Sequence, residues 1–146
     1  MPVESSSIIY PMFAMFLLTL FTLQKLFRTR VSLAKAGLVS PNFYSTYKET
    51  DGLMVEPDES RALGRHFSNL FEAPTLFYVV CLAALALDIA GTAFQVCAWL
   101  YVIARIAHSI IHMGRNRIAP RIYSYMTSWL ILTILWIILA ISAASL

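Results

Sequence analysis

The apolar residues of this chain fall in blocks, without the three-to-four-residue alternation of a soluble amphipathic helix. Ile8 to Leu26 carries no charge before Lys25, and Ala73 to Ala90 carries only Asp88, near its far end. Phe94 to Met113 is interrupted by Gln95, Arg105, His108 and His112, while Ile122 to Ala144 has no charge at all. A hydrocarbon core about 30 Å thick takes roughly 20 helical residues. The blocks therefore predict four membrane-crossing helices, at about 8–27, 57–90, 94–114 and 121–144, in a single domain over 1–146. The second is the longest. Pro57, Asp58 and Glu59 suit a first helical turn, where proline's missing N–H costs nothing and acids favour the dipole. That helix should start near Pro57 as a cytoplasmic extension and enter the membrane only later. Pro74 removes one hydrogen bond, to the carbonyl of Leu70, and predicts a kink beside Glu72; Pro11 does the same early in the first span. The fold class is all-α, an integral membrane four-helix bundle.

Composition agrees with the pattern. The chain is 59% hydrophobic and 13% charged, where a soluble domain is about a quarter charged, and its mean hydropathy is +0.70. The leader MPVESSS has no basic residue and the basic residues follow the first apolar run, the reverse of a secretory signal, so the first helix is expected to be retained. Cys81 and Cys97 lie in different spans at different depths. They read as small buried hydrophobes, with neither disulfide nor metal-ligand spacing.

Charge is one-sided. Lys25, Arg28, Arg30, Lys35, Lys48, Arg61 and Arg65 flank or occupy the first connection, and Arg115, Arg117 and Arg121 the third. The N-terminal tail, the 88–94 turn and the C-terminus hold no Lys or Arg. The positive-inside rule then puts the 28–61 and 114–121 loops in the cytoplasm and both termini outside it. Topology alone explains most of these residues.

The polar residues inside the spans need a further reason. Arg65, Asn69 and Glu72 fall on one helical face, and Tyr101, Arg105, His108 and His112 form a second stripe. Glu72 and His112 lie at a similar depth, and Arg28 and Arg121 mark the cytoplasmic ends of the first and fourth spans. Ionisable residues in a span cost roughly 2.5–3.5 kcal/mol each and normally have partners. One reading is a structural network, with Arg105 paired to Glu72. Another is a ligand site, because a single carboxylate faces Arg65, Arg105, Arg117, Arg121 and Arg28. That excess suits an outside molecule with more than one anionic group and one cationic group. His108 and His112, four apart, could in principle share a metal or haem, but the adjacent arginines oppose a divalent cation and no metal is expected. A proton relay or transporter is a further alternative, against which four short spans without repeats argue.

The string R-x-x-x-N-x-x-E at 65–72, A-R-x-x-H-x-x-x-H-x-G at 104–114 and R-x-A-P-R at 117–121 together resemble the MAPEG family, the membrane-associated proteins in eicosanoid and glutathione metabolism. Within it, the run from Arg105 to Tyr125 is most similar to microsomal prostaglandin E synthase, and the chain also resembles microsomal glutathione transferase. The resemblance implies a homotrimer with glutathione as co-substrate, held between subunits near the cytoplasmic face. It implies cofactor contacts at Arg28, Arg65, Asn69, Glu72, His108, His112, Arg117 and Tyr125, a thiolate-stabilising Arg121, and a structural or ion-pairing Arg105. Three departures stand out. Ala73 replaces a tyrosine of leukotriene synthases, Ile122 replaces a serine of the prostaglandin synthase, and the first-loop acid of that enzyme has no clear counterpart. The expected activity is therefore a broader glutathione-dependent transfer or peroxidase reaction on lipophilic electrophiles. The alternative is a non-catalytic trimer that binds lipid or a partner on the same scaffold. Expected partners are the bilayer, further copies of the chain and a lipophilic small molecule, with no nucleic acid. The expected location is a bacterial inner membrane, or the endoplasmic reticulum in a eukaryote.

Overall fold

The computed structural model describes residues 4–40, 42–47, 56–114 and 117–145; Pro41, Lys48, Gly52 and Arg115 lie outside them. A short 3-10 turn, Ser5–Ile8, leads into α1, Ile9–Lys35. The first span was expected to end near residue 27, but the helix runs on to Lys35 because RTRVSLAK contains no breaker. It stops at Gly37, whose φ of +68° is left-handed. There the Leu38 N–H bonds the Leu33 carbonyl and the Gly37 N–H bonds that of Ala34, an ending that glycine adopts without a Cβ clash. A short helix α2, Phe43–Thr46, follows in the first connection.

The second span is two helices, not one. α3 is Asp58–Asn69, with Asp58 and Glu59 in its first turn as predicted, and α4 is Ala73–Ala86. Between them the chain tightens: the N–H groups of Phe71 and Glu72 bond three residues back, to Ser68 and Asn69. Glu72 then leaves helical geometry at φ −88°, ψ −96°. Pro74 sits in the first turn of α4, where it needs no N–H. The expected kink becomes a full break, and side chains add hydrogen bonds to the carbonyls beside it. Thr75 Oγ1 donates to Phe71 O at 2.7 Å, and the Arg105 guanidinium donates to Asn69 O at 3.2 Å. Backbone can be irregular at membrane depth only where protein groups satisfy it in this way.

α4 ends before Asp88, whose φ of 55° closes a left-handed turn, with the Ile89 N–H bonded to Ala84 O. α5, Thr92–Met113, and α6, Ile118–Ala143, complete the bundle and pack against each other more extensively than any other pair. The core lies between α1, α4, α5 and α6 and includes Ile8, Met15, Phe77, Val80, Tyr101 and Leu135. Phe77 stacks on Tyr101 at 4.4 Å with 12° between the ring planes. At the end of the bundle holding the N-terminus, Gln95 Nε2 donates to Glu4 O and Ala90 O, closing the short turn before α5.

The outside of the bundle is apolar. Phe13, Phe21 and Phe27 on α1, Ile103 and Ile110 on α5, and Leu130 and Ile141 on α6 are all exposed. An apolar surface of that extent needs a hydrocarbon or protein neighbour, and the four spans are long and apolar enough to cross a bilayer. The chain is an all-α, four-span membrane bundle. Cys81 and Cys97 are free thiols.

One polar clasp ties the C-terminal part of α1 to the start of α3. Buried Glu56 accepts from Ser60 Oγ and meets Arg30 Nε at 3.4 Å, and Arg61 Nη2 donates to Glu56 O at 2.9 Å. The Tyr44 ring lies 4.6 Å from the Arg30 guanidinium. Gly64 lets that guanidinium approach, since a Cβ there would stand 3.2 Å from Arg30 Nη2.

Two stability predictions follow from burial. Phe77→Ala opens a void in the core and should cost about 3–5 kcal/mol, whereas Phe13→Ala, on the exposed face, should leave the melting temperature in detergent within error. Glu56→Ala leaves Arg30 and Ser60 without their partner and should cost about 1–3 kcal/mol. Asp58 also pairs with an arginine, Arg61 at 3.7 Å, but is 96% exposed; Asp58→Ala should not shift the melting curve measurably.

Candidate functional site

The stripe on α3 faces a cavity, and the neighbouring register faces the core. Arg65 and Glu72 are exposed and Asn69 half-buried, whereas His66, Leu70, Ala73 and Phe77 are buried. A one-residue shift on this helix thus separates residues open to a ligand from residues that pack.

The cavity measures about 1220 Å³ and opens where the first connection, the α3–α4 break and the start of α6 meet. α3 and the break bring Arg61, Arg65, Asn69 and Glu72 to its wall. α5 brings His108 and His112, and α6 brings Arg121 and Tyr125. The first connection adds Phe43, Tyr47 and Glu56, and α1 adds Arg30. Leu23, Leu26, Phe67, Ile122 and Met126 make an apolar section of the same wall. Seven of the residues expected to hold a ligand or stabilise its thiolate therefore converge: Arg65, Asn69, Glu72, His108, His112, Arg121 and Tyr125. Arg28 and Arg117 do not border the cavity; both are exposed, and Arg117 caps the start of α6.

Arg105 is fully buried and also does not border the cavity. The Arg105–Glu72 ion pair considered from sequence does not form among the described residues. Arg105 Nη2 instead donates to Asn69 Oδ1 at 2.7 Å, and Asn69 Nδ2 donates to Glu72 Oε2 at 3.1 Å. An amide stands between the charges expected to touch.

The tautomer of His108 follows from its partners. Ser124 Oγ donates to Arg121 O at 3.0 Å, and His108 Nδ1 lies 3.2 Å from that carbonyl and 3.3 Å from Ser124 Oγ. A carbonyl only accepts, so Nδ1 carries the hydrogen, and in the neutral ring Nε2 is an acceptor. No protein atom meets that buried Nε2. The Tyr125 ring lies 5.6 Å from His108 and 5.9 Å from the Arg105 guanidinium.

Two groups at the site were not singled out from sequence. Glu56, just before the expected helix start at Pro57, is a second carboxylate in the wall, so four guanidiniums (Arg30, Arg61, Arg65, Arg121) face two carboxylates (Glu56, Glu72). His66 completes a cluster of all three histidines, its ring 4.8 Å from His112 and 5.7 Å from His108. Ser109 Oγ donates to Arg105 O at 2.8 Å, so His66 Nε2 donates to Ser109 across 3.0 Å. The apolar positions 63, 70 and 77 around His66 mark the interior face and are the one signal that could have placed it. Despite that cluster, no group of three or more His, Cys, Asp or Glu side chains among the described residues is arranged to hold a metal ion.

Chemically, the cavity offers guanidiniums for carboxylates, carboxylates for a cation, imidazoles for hydrogen bonds and an apolar section of wall. Arginine's planar fork matches carboxylates bidentately. No curated protein matches the chain significantly. Residues 8–141, nearly its whole length, match the model of the MAPEG family. On that match, the chain belongs to the MAPEG family.

Proposed function

We propose that this protein is a glutathione-dependent transferase acting on lipophilic electrophiles. The observation that carries the reading is the convergence of Arg65, Asn69, Glu72, His108, His112, Arg121 and Tyr125 on one cavity. Glutathione has two carboxylates, one ammonium and one thiol. Arg65 and Asn69 suit a carboxylate end and Glu72 the ammonium. Arg121 stabilises the thiolate. A thiol with pKa about 8.5 is only a few per cent ionised at neutral pH. Lowering that value by about two units takes roughly 2.7 kcal/mol of preferential thiolate stabilisation, within reach of a guanidinium partly shielded from water.

The thiol proton leaves to solvent and the thiolate attacks an electrophilic carbon; the carbon–sulfur bond forms as a leaving group departs with its bonding pair or, on a conjugated acceptor, as the displaced pair takes up a proton from water. A peroxide substrate would take the same nucleophile at oxygen, its O–O bond breaking to release an alcohol and leave a glutathione sulfenic acid, which a second glutathione converts to the disulfide and water. The electrophile enters along the apolar wall of Leu23, Leu26, Ile122 and Met126. The sequence resemblance to microsomal prostaglandin E synthase and microsomal glutathione transferase supports an activity of the same chemical class. Isoleucine at 122 removes the hydroxyl of the former and favours the broader transferase. We propose further that the protein is a homotrimer, with the exposed Arg28 turned toward a neighbour's site, and that the 28–61 and 114–121 connections face the cytoplasm.

Calorimetry and conjugation assays on the purified protein test the site. Glutathione should bind at millimolar concentration or below; no heat at that concentration removes the proposal. Arg121→Ala should lower conjugation at pH 7 by roughly 20-fold through the loss of thiolate alone. The deficit should shrink as pH approaches 8.5, because the unassisted thiol then ionises by itself. Binding without turnover toward any apolar electrophile would instead favour a non-catalytic member of the same architecture. The topology has its own check, in a background with Cys81 and Cys97 replaced. A cysteine at the exposed position Ser145 should react with an impermeant maleimide on intact cells, and one at exposed Ser32 only after permeabilisation.

A further inference from the structure

We infer that Arg105 is a positioning residue that fixes the Asn69 amide and, through it, aims the Glu72 carboxylate at the cationic group of the ligand. The inference rests on the glutathione reading above. It starts from the failure of helix geometry to place Glu72. That residue lies in the break between α3 and α4 at φ −88°, ψ −96°, so no regular turn sets where its side chain goes, and the side chain is exposed. The one side-chain hydrogen bond described for it is from Asn69 Nδ2, at 3.1 Å.

Arg105 decides which way Asn69 points. A guanidinium has only donors, and Arg105 Nη2 reaches both oxygens of Asn69, the carbonyl at 3.2 Å and Oδ1 at 2.7 Å. Rotating the amide by 180° would set its NH₂ against the guanidinium and its oxygen against the Glu72 carboxylate, losing both bonds and replacing them with repulsions. The charge of Arg105 thus selects one amide orientation, in which the only remaining donor faces Glu72. Arg105 cannot do this by touching the ligand. It is 0% exposed and does not border the cavity, and its Nε and Nη1 meet no protein acceptor. The side-chain hydrogen bonds described for this buried charge go to Asn69.

The test compares glutathione with glutaryl-cysteinylglycine, the same tripeptide without its ammonium. Both are titrated by calorimetry into the wild-type protein, Arg105→Gln, Arg105→Lys, Glu72→Gln and the Arg105→Gln/Glu72→Gln double variant, with melting temperature measured for each. The wild type should prefer glutathione, and Glu72→Gln should erase about tenfold or more of that preference, the scale of a charged hydrogen bond. Arg105→Gln should erase a comparable share while leaving the deaminated peptide's affinity within about threefold. The double variant should lose no more preference than Glu72→Gln, because the two act in series. Arg105→Lys keeps the buried charge but not the fork, so it should lose part of the preference. It carries the comparison if Arg105→Gln does not fold. Equal weakening of both ligands in the Arg105 variants would make Arg105 merely structural and overturn the inference, as would an intact preference. A wild type that binds both peptides equally overturns the aiming of Glu72 alone. A wild type that binds neither overturns the glutathione reading and the inference with it.

Discussion

The second span of this bundle is broken in the middle, and a buried guanidinium holds the residue at which its first helix ends. Arg105 comes from α5, a helix that never enters the cavity wall at that position, and donates to the last carbonyl of α3. A cation at a helix C-terminus is favoured by the dipole, and here it adds a second donor to a carbonyl already bonded by the Glu72 N–H at 3.4 Å. Much else depends on it. The break turns α3 relative to α4, leaves Glu72 outside any helix and opens the side of the bundle into which Arg65, His112 and Arg121 project.

The clasp between α1 and α3 has a different character. Arg30, Glu56, Ser60 and Arg61 pair with one another, with Tyr44 against Arg30. They form the outer rim of the cavity and hold the end of α1 to the start of α3. Inside that rim the polar groups are less fully matched by protein: Nε2 of His108 and Nδ1 of His112 are buried and unmet. Buried imidazole nitrogens without a partner are uncommon in a finished structural network, and they lie in the wall of the one large cavity that the motif residues share.

How much of this could be read from the chain depends on the range of the interaction involved. Four spans were legible because crossing a bilayer needs only length and apolarity, which Ile8–Leu26 and Ile122–Ala144 state directly. The Arg65–Asn69–Glu72 stripe was legible because its spacing matches a helical turn, and that local period holds up to the break. The break itself was only half legible. Pro74 announces a lost hydrogen bond, but whether the helix bends or stops depends on donors elsewhere, Thr75 nearby and Arg105 in another helix. Glu56 and His66 were missed for the same reason: one acquires its role from Arg30 across a long connection, the other from Ser109 on α5. The expected Arg105–Glu72 pair failed because two charges at compatible depths need not touch when an amide of the right length fits between them.

The cavity wall combines arginines with an apolar section of Leu23, Leu26, Ile122 and Met126, which on the proposed chemistry admits the second substrate. A molecule that reaches the site through the apolar section is drawn from the bilayer, where each methylene adds about 0.8 kcal/mol of partitioning. For a chain of about eight carbons that is an enrichment on the order of ten-thousand-fold over the aqueous phase. On the proposed chemistry, the protein then needs little intrinsic affinity for the apolar body of its second substrate. Apparent Michaelis constants expressed per volume of solution would rise with the amount of lipid or detergent present, through dilution of the substrate in the apolar phase. Chain length would set which compounds are processed before any contact with the protein is made.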